Sequence, residues 1–143
     1  GTTAMKWFGN TAPESAEPLP TGNKGVGNLG EEIAAAFLEG KHYRILERNF
    51  RCKGGEVDIV ARDSKDKCLV FVEVKARRDL SYGVPQLAVT PFKQRQISKA
   101  ALTWLSKKHL HDQNARFDVI AIMLDDSGRH KVEHIVNAFE LAY

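Results

Sequence analysis

Cysteine is scarce in this sequence: Cys52 and Cys68 are the only two. Two thiols make neither a disulfide framework nor a zinc site, and they read as reduced side chains of a cytoplasmic protein. Long apolar runs are missing too. No stretch of about 18 apolar residues offers a membrane span, and no apolar segment follows a basic one near the start, so nothing reads as a secretory signal. A GxxxxGK[ST] loop and a dinucleotide-binding glycine fingerprint are both absent, which leaves ATP and nicotinamide cofactors without a motif. His42, His109, His111, His130 and His134 do not have the spacing of a metal site. Repeats and low-complexity tracts are lacking as well.

What is there suits one folded domain. The chain has 143 residues, of which 43% are apolar, enough for a real core and too few for two ordinary domains. Residues 1–24 stand apart, with Pro13, Pro18 and Pro20 set among Gly, Ser, Thr and Asn. They are expected to be a disordered or loosely attached arm, with Trp7 and Phe8 as the bulky side chains near its start. Gly1 to Ala4 read as a tag remnant ahead of Met5. Residues 25–143 are expected to form the single domain. The net charge of +3 decides little, but its distribution is uneven. Residues 91–108 hold Lys93, Arg95, Lys99, Lys107 and Lys108 and no acid; residues 41–53 hold Lys41, Arg44, Arg48, Arg51 and Lys53 against Glu47. Such local excess suits a polyanion, although a lysine-rich solvated surface has the same composition.

A first helix is expected over 29–39. Asn28 is its candidate N-cap, Glu31 falls at the reciprocal position of a capping box, and Gly40 is a stop. Ile33, Ala34, Phe37 and Leu38 form its apolar stripe. Glu31 lies on the flank of that stripe and Glu32 nearly opposite, toward water. Strands are expected over 43–50, 56–61 and 69–76. A bend at Gly54 and Gly55 separates the first two, and a polar turn over 63–67 makes the last two antiparallel. Residues 77–90 read as a loop with a short turn. Thr90 then caps a second helix, with Pro91 at its first position, running to Lys108. Its core face is Ile97, Ala101, Trp104 and Leu105, with Lys93, Gln96, Lys99 and Thr103 turned away. The apolar run 117–124 reads as a covered strand, 131–135 as an edge strand, and the end as a short helix. The order α-β-β-β-α-β-β suggests an α/β fold with one mixed sheet and helices packed on it.

The chemistry centres on Asp58 and on Glu73-Val74-Lys75. Residues two apart on a strand share a face, so Glu73 and Lys75 point together. A hairpin turned at 64–67 sets position 58 across from 73 and position 56 across from 75, gathering Glu56, Asp58, Glu73 and Lys75. Carboxylates clustered in a strand built for burial repel one another unless a cation compensates them. Two carboxylates, with the Val74 carbonyl, can hold a hard divalent ion, and Lys75 can orient water and offset negative charge in phosphodiester cleavage. An Asp/Glu-Lys ion network without metal is the other reading of the same residues.

The motifs resemble the YraN-like family, small bacterial proteins placed with the PD-(D/E)XK nucleases near the Holliday-junction resolvases. The resemblance rests on Gly27-x-x-Gly30-Glu31-x-x-Ala34, Arg48-Asn49-Phe50-Arg51, Gly55-Glu56-Val57-Asp58-Ile59-Val60 and Phe71-Val72-Glu73-Val74-Lys75-Ala76-Arg77. Gly83, Ala88-Val89-Thr90, Lys93, Arg95, Arg116-Phe117-Asp118-Val119 and His134 extend it over about residues 25–140. It implies a restriction-endonuclease-like fold, with Glu31, Asp58, Glu73 and Lys75 on the acidic and lysine positions of the nuclease superfamily. Val57 stands where the motif's nominal proline would be. The implied activity is a Mg2+- or Mn2+-dependent endonuclease acting on DNA, including branched DNA, with Asp58, Glu73, Val74 and Glu31 at the metal. A resolvase would further imply a symmetric homodimer. The rival is a non-catalytic DNA-binding protein that keeps the fold.

Other residues carry double readings. Glu31 serves a capping box or the metal. Glu56 supports Lys75 or is solvated. Arg77 and Arg78 grip phosphate or simply end a strand in water. Lys93, Gln94, Arg95 and Lys99, on or near the start of the second helix, are candidate phosphate contacts. His134 reads as packed or hydrogen bonded, and Trp104 as core.

Overall fold

Chain order in the computed structural model, described for residues 6–8, 23–78 and 88–142, runs β1 (Lys6–Phe8), α1 (Asn23–Gly40), β2 (Tyr43–Cys52), β3 (Gly55–Asp63), β4 (Cys68–Arg77), α2 (Pro91–Lys108), β5 (Ala115–Leu124) and β6 (His130–Phe139). The strands form one six-stranded sheet in the order β1-β6-β5-β4-β3-β2. Short turns make β2, β3 and β4 successive antiparallel neighbours. The connection from β4 to β5 passes through α2, and those two strands pair in parallel. The fold is thus mixed α/β. Among the described residues no helix is long and apolar enough to cross a membrane.

Alternation along the strands feeds two cores. Ile59, Ala61, Val70, Val72, Ile120 and Ile122 pack with Ala34 and Leu38 of α1. Val60, Leu69, Phe71, Phe117 and Val119 pack with Ile97, Ala101, Trp104 and Leu105 of α2. The sheet therefore lies between the helices. Central strand β4, covered on both faces, is buried from Cys68 through Glu73 and opens only over its last turns of pleat. Helix α2 begins and ends as its residues dictate. Thr90 Oγ1 accepts from the Lys93 N–H at 3.2 Å, Pro91 follows, and His109 closes the helix in the left-handed region at φ 57.

The structure corrects several expectations. Helix α1 starts at Asn23, so Asn28 is interior and caps nothing, and Glu31 is not in a capping box. Strand β6 runs ten residues and is no edge, because Lys6–Phe8 pair with its start, Trp7 against Lys131. The end is not helical: β6 continues to Phe139, whose ring stacks on Phe117 at 4.8 Å, and the Ala142 N–H donates to buried Ser98 Oγ at 2.9 Å. The expected arm outside Lys6–Phe8, and most of the expected 77–90 loop, lie outside the described residues.

A buried polar network ties the far end of the sheet. Arg116 Nε donates to Asp118 Oδ1 at 3.0 Å, and its Nη2 reaches the Tyr43 hydroxyl at 2.7 Å and Asp63 Oδ2 at 3.1 Å. His134 Nε2 lies 2.8 Å from Asp118 Oδ2, with both side chains fully buried. Asp118 also accepts from the Asn137 N–H at 2.9 Å, closing the place where the β5–β6 register shifts. Burial alone would raise the Asp118 carboxyl, but hydrogen bonds from His134, Asn137 and Arg116 outweigh it and hold the group below its ordinary range. For Asp63, burial also works upward, and the Lys65 N–H and Arg116 reverse it.

These depressed values give stability above the ordinary aspartate range that is lost as pH falls below about 4 and through the folded-state values. Asp118→Ala strips Arg116 and His134 of their partner. It is expected to cost roughly 3–5 kcal/mol of unfolding free energy at neutral pH. Urea denaturation at neutral pH and at about pH 3 checks this, with the gap between variant and parent narrowing at the lower pH.

Candidate active site

The site begins where the β3–β4 ladder ends. Ile59 pairs with Val72 as the last step of that ladder, and just beyond it Asp58 lies within interaction distance of Glu73, the neighbour the hairpin pattern predicts. There the strands part, and the Val74 N–H donates to Asp58 Oδ2 at 2.7 Å instead of to a backbone carbonyl. Strict alternation also slips at this point: Val57 packs on the α2 side while Ile59 packs on the α1 side. Across on β2, Asn49 sits in the left-handed region at φ 54. Asp58 thus stands at an irregular point of the sheet, within electrostatic reach of a carboxyl from each helix-facing side.

Glu73 is 8% exposed. Burial first, then a hydrogen bond and repulsion from Asp58, push its carboxyl up to about 8. Without a cation, burial and the neighbouring Asp58 thus favour the protonated form of Glu73.

Glu31 is brought in by a close helix–sheet approach. A Cβ on Gly30 would lie 2.5 Å from the Ala76 side chain, so only glycine lets α1 sit this near β4. Glu31 is half-buried, and burial followed by repulsion from Asp58 raises its carboxyl, against opposing help from Arg48 and Asn49. Its Oε1 is buried without a hydrogen-bond partner among the described residues. Neighbouring Glu32 turns outward, exposed, and pairs with Arg48 at 3.0 Å.

The bases divide differently from the expectation. Lys75 is half-buried and its Nζ donates to the Ala88 carbonyl at 2.5 Å. Burial depresses its ammonium, with Glu73 opposing. Lys93 was expected on the open face of α2 as a phosphate contact. Instead its Nζ lies 2.6 Å from Glu56 Oε1 and 3.8 Å from Glu73 Oε2. Burial works against its charge, but the Glu56 hydrogen bond and the Glu73 and Asp58 charges prevail and raise its value. Lys93 in turn holds the Glu56 carboxyl below the usual range. Gln94 is occupied with the Val89 carbonyl at 2.8 Å, Arg78 reaches Asp126 at 3.5 Å, and Arg77 is exposed with a bond to the Ala76 carbonyl at 2.9 Å. Arg95 and Lys99 are exposed.

Lys93, Asn49 and the Ala88 carbonyl are the contacts that sequence reasoning missed. Lys93 had a legible signal. In a parallel β-α-β unit the N-terminus of the helix returns beside the C-terminal end of the first strand. A lysine in the first turn of α2 then reaches back toward Glu73.

Whether these residues suit a divalent ion can be judged from their chemistry. Among the described residues no three His, Cys, Asp or Glu side chains already converge as a metal cage. Asp58 and Glu73 nevertheless form a close carboxyl pair whose mutual repulsion a cation between them would relieve. Glu31 adds a buried oxygen lacking a partner, so the donor set fits a hard cation completed by water.

The raised Glu73 value has a stability consequence. The folded chain keeps this proton up to about 8 while the unfolded chain releases it near 4.5. Stability from this group is present at low pH and is lost as pH rises across that window. With chelator present, Glu73→Gln is expected to match the parent at pH 5 and to exceed it by roughly 1–3 kcal/mol at pH 9. Thermal and urea unfolding of both proteins at the two pH values checks the sign.

Comparison with known proteins places these residues in a family. Residues 30–122, a span that holds Glu31, Asp58, Glu73, Lys75 and Lys93, match the family described as Uncharacterised protein family UPF0102. A UPF0102 protein of Pelobacter propionicus is 75% identical over 121 residues, covering 85% of this chain and 86% of that one. One of Geobacter sulfurreducens is 68% identical over 121 residues, covering 85% and 93%. One of Syntrophus aciditrophicus is 55% identical over 123 residues, covering 86% and 94%. With the family matched across most of the domain and identity this high, the chain belongs to the bacterial UPF0102 family.

Proposed function

We propose that this protein is a divalent-metal-dependent endonuclease that hydrolyses phosphodiester bonds in DNA, branched DNA included. The observation that carries the reading is the Asp58–Glu73 carboxyl pair where the β3–β4 ladder ends, with Glu31 in electrostatic reach of Asp58 and Lys75 one side-chain repeat from Glu73. Restriction-endonuclease-like architecture is part of the same proposal, and the mixed sheet with a helix on either face is compatible with it.

Asp58 and Glu73, with the Val74 carbonyl and Glu31, would hold Mg2+ or Mn2+, which when bound supplies Lewis acidity toward phosphate and water. The chain's own groups do the rest. Lys75, tethered by the Ala88 carbonyl and partly desolvated, orients the attacking water and offsets charge developing on the phosphoryl oxygens. Lys93 supplies a second fixed positive charge beside Glu73, held by Glu56. Arg77 stands at the exposed end of β4 for a flanking phosphate, and Arg95 and Lys99 offer phosphate contacts along α2. A symmetric homodimer would bring two such sites to a branch.

One observation favours the rival reading, a DNA-binding protein without catalysis. Lys93 already neutralises Glu56 and approaches Glu73 without an ion.

Single-turnover cleavage of a branched and a linear duplex in Mg2+ or Mn2+ separates the two. The parent is expected to cut at least one substrate. Lys75→Met is expected to fold, bind metal and DNA, and cut about 10²-fold more slowly. A Met variant cutting at the parent's rate removes Lys75 from the chemistry, and a parent inert on both substrates leaves the binding protein as the better reading. Arg95→Ala and Lys99→Ala are expected to weaken DNA binding alike across sequences and each lower the log-log salt slope by about one. Unchanged slopes in both would take α2 out of the interface.

A further inference from the structure

Helix α2 has a second stripe that the core does not use. Phe92 is 63% exposed and Leu102 is 42% exposed. Phe92, Arg95, Lys99 and Leu102 follow one another at helical spacing along the solvent side. The β2–β3 turn runs against them. Gly54 adopts φ 76 with the Lys99 side chain laid over it, and a Cβ on Gly55 would meet the Ala100 N and the Gln96 O at 2.8 Å. The glycine pair therefore lets the turn press onto α2. Together they bound an open groove of about 460 Å³ lined by Gly54, Phe92, Arg95, Lys99 and Leu102.

The groove has one sign of charge. No acid occurs in α2, and neither Arg95 nor Lys99 forms an ion pair among the described residues. Phe92 is adjacent in sequence to Lys93, whose ammonium touches Glu56 and approaches Glu73, so the groove starts on the same turn of α2 that reaches the candidate active site. An exposed phenyl ring on a protein surface costs solvation and packs no core here. An exposed ring followed along one helix face by two cations, unpaired among the described residues, matches the way single strands are held. Aromatic faces stack on bases while the cations track the backbone.

We infer that Phe92, with Arg95 and Lys99 following it along the same face of α2, is a stacking platform for an unpaired base, so that this face selects DNA containing unpaired nucleotides over plain duplex. The inference rests on the DNA-binding part of the proposed function and not on catalysis. A plain duplex keeps its bases stacked on each other and offers the ring nothing. A fork or bulge presents a free base face beside the phosphates that Arg95 and Lys99 would contact.

The test uses the full chain with chelator present, so that binding is read without cleavage. The probes are one labelled duplex and the same duplex with a small bulge carrying 2-aminopurine. Phe92→Ala is expected to weaken binding to the bulged DNA about tenfold and to the plain duplex less than about twofold. Its salt slope should equal the parent's, because stacking releases no counterions. Phe92→Trp should retain the preference, and 2-aminopurine emission should change on binding the parent and not the Ala variant. Equal losses on both DNAs, or no loss on the bulged one, overturn the inference while leaving DNA binding in place. A parent that binds neither DNA overturns both the inference and the proposed function. Sedimentation showing a parent dimer that Phe92→Ala dissociates, with no effect on bulge preference, would instead assign this face to a second copy of the chain.

Discussion

A carboxyl group buried in the central strand of a sheet has three ways to exist: it keeps a proton, it pairs with an ammonium, or it binds a cation. Glu73 is such a group, and the rest of the site is arranged around that constraint. Asp58 stands beside it, Lys93 approaches from one side, and Glu31 adds a further desolvated oxygen. Each answer alone is partial. A proton leaves the pair vulnerable to alkaline pH, and an ammonium 3.8 Å away is too far for a strong hydrogen bond. The oxygens of the site are therefore incompletely matched within the protein itself.

Much of this was legible in the residues. The polar turn after Asp63 and the alternation on either side determine the hairpin register, and the observed pairing of Ile59 with Val72 is the one that brings Asp58 near Glu73. Helix α2 was legible to the residue, because Thr90 and Pro91 act locally and need no tertiary contact. The environment of Glu31 was not. Glycines at 25, 27 and 30 argue against helix by propensity, and Asn28 imitates a cap, yet the helix runs through all of them. The gain is tertiary: Gly30 is required for contact with Ala76, and this cannot be seen without β4. The chain end misled for a similar reason. Its Ala, Glu and Leu favour helix, whereas pairing with β5 and the stack of Phe139 on Phe117 draw residues up to 139 into the sheet.

Two clusters of charge occupy the same sheet and obey different logic. Around Arg116, each buried carboxylate meets hydrogen-bond donors, and the aspartates are held ionised. Around Glu73 burial and Asp58 outweigh the help of Lys93, and the carboxyl is pushed toward its neutral form. The first arrangement suits a fixed structural knot between β5, β6 and the β3–β4 hairpin. The second leaves chemical potential for a ligand. Arg116, Asp118 and His134 were part of the motif pattern alongside the acidic site, but their contacts place them in architecture and not in chemistry.

The outer strand β2 bears on how copies of this sheet can meet. It is broken by an irregularity between Ile45 and Glu47 and by the left-handed Asn49, and it carries Arg44, Glu47, Arg48 and Arg51. Interrupted, charged edges resist strand-to-strand templating, the route to fibrils and to sheets continued from one subunit into the next. The opposite flank is already occupied by Lys6–Phe8 on β6. A sheet bounded on one side by that interrupted strand and on the other by a strand of three residues offers little continuous rim for a further strand to extend.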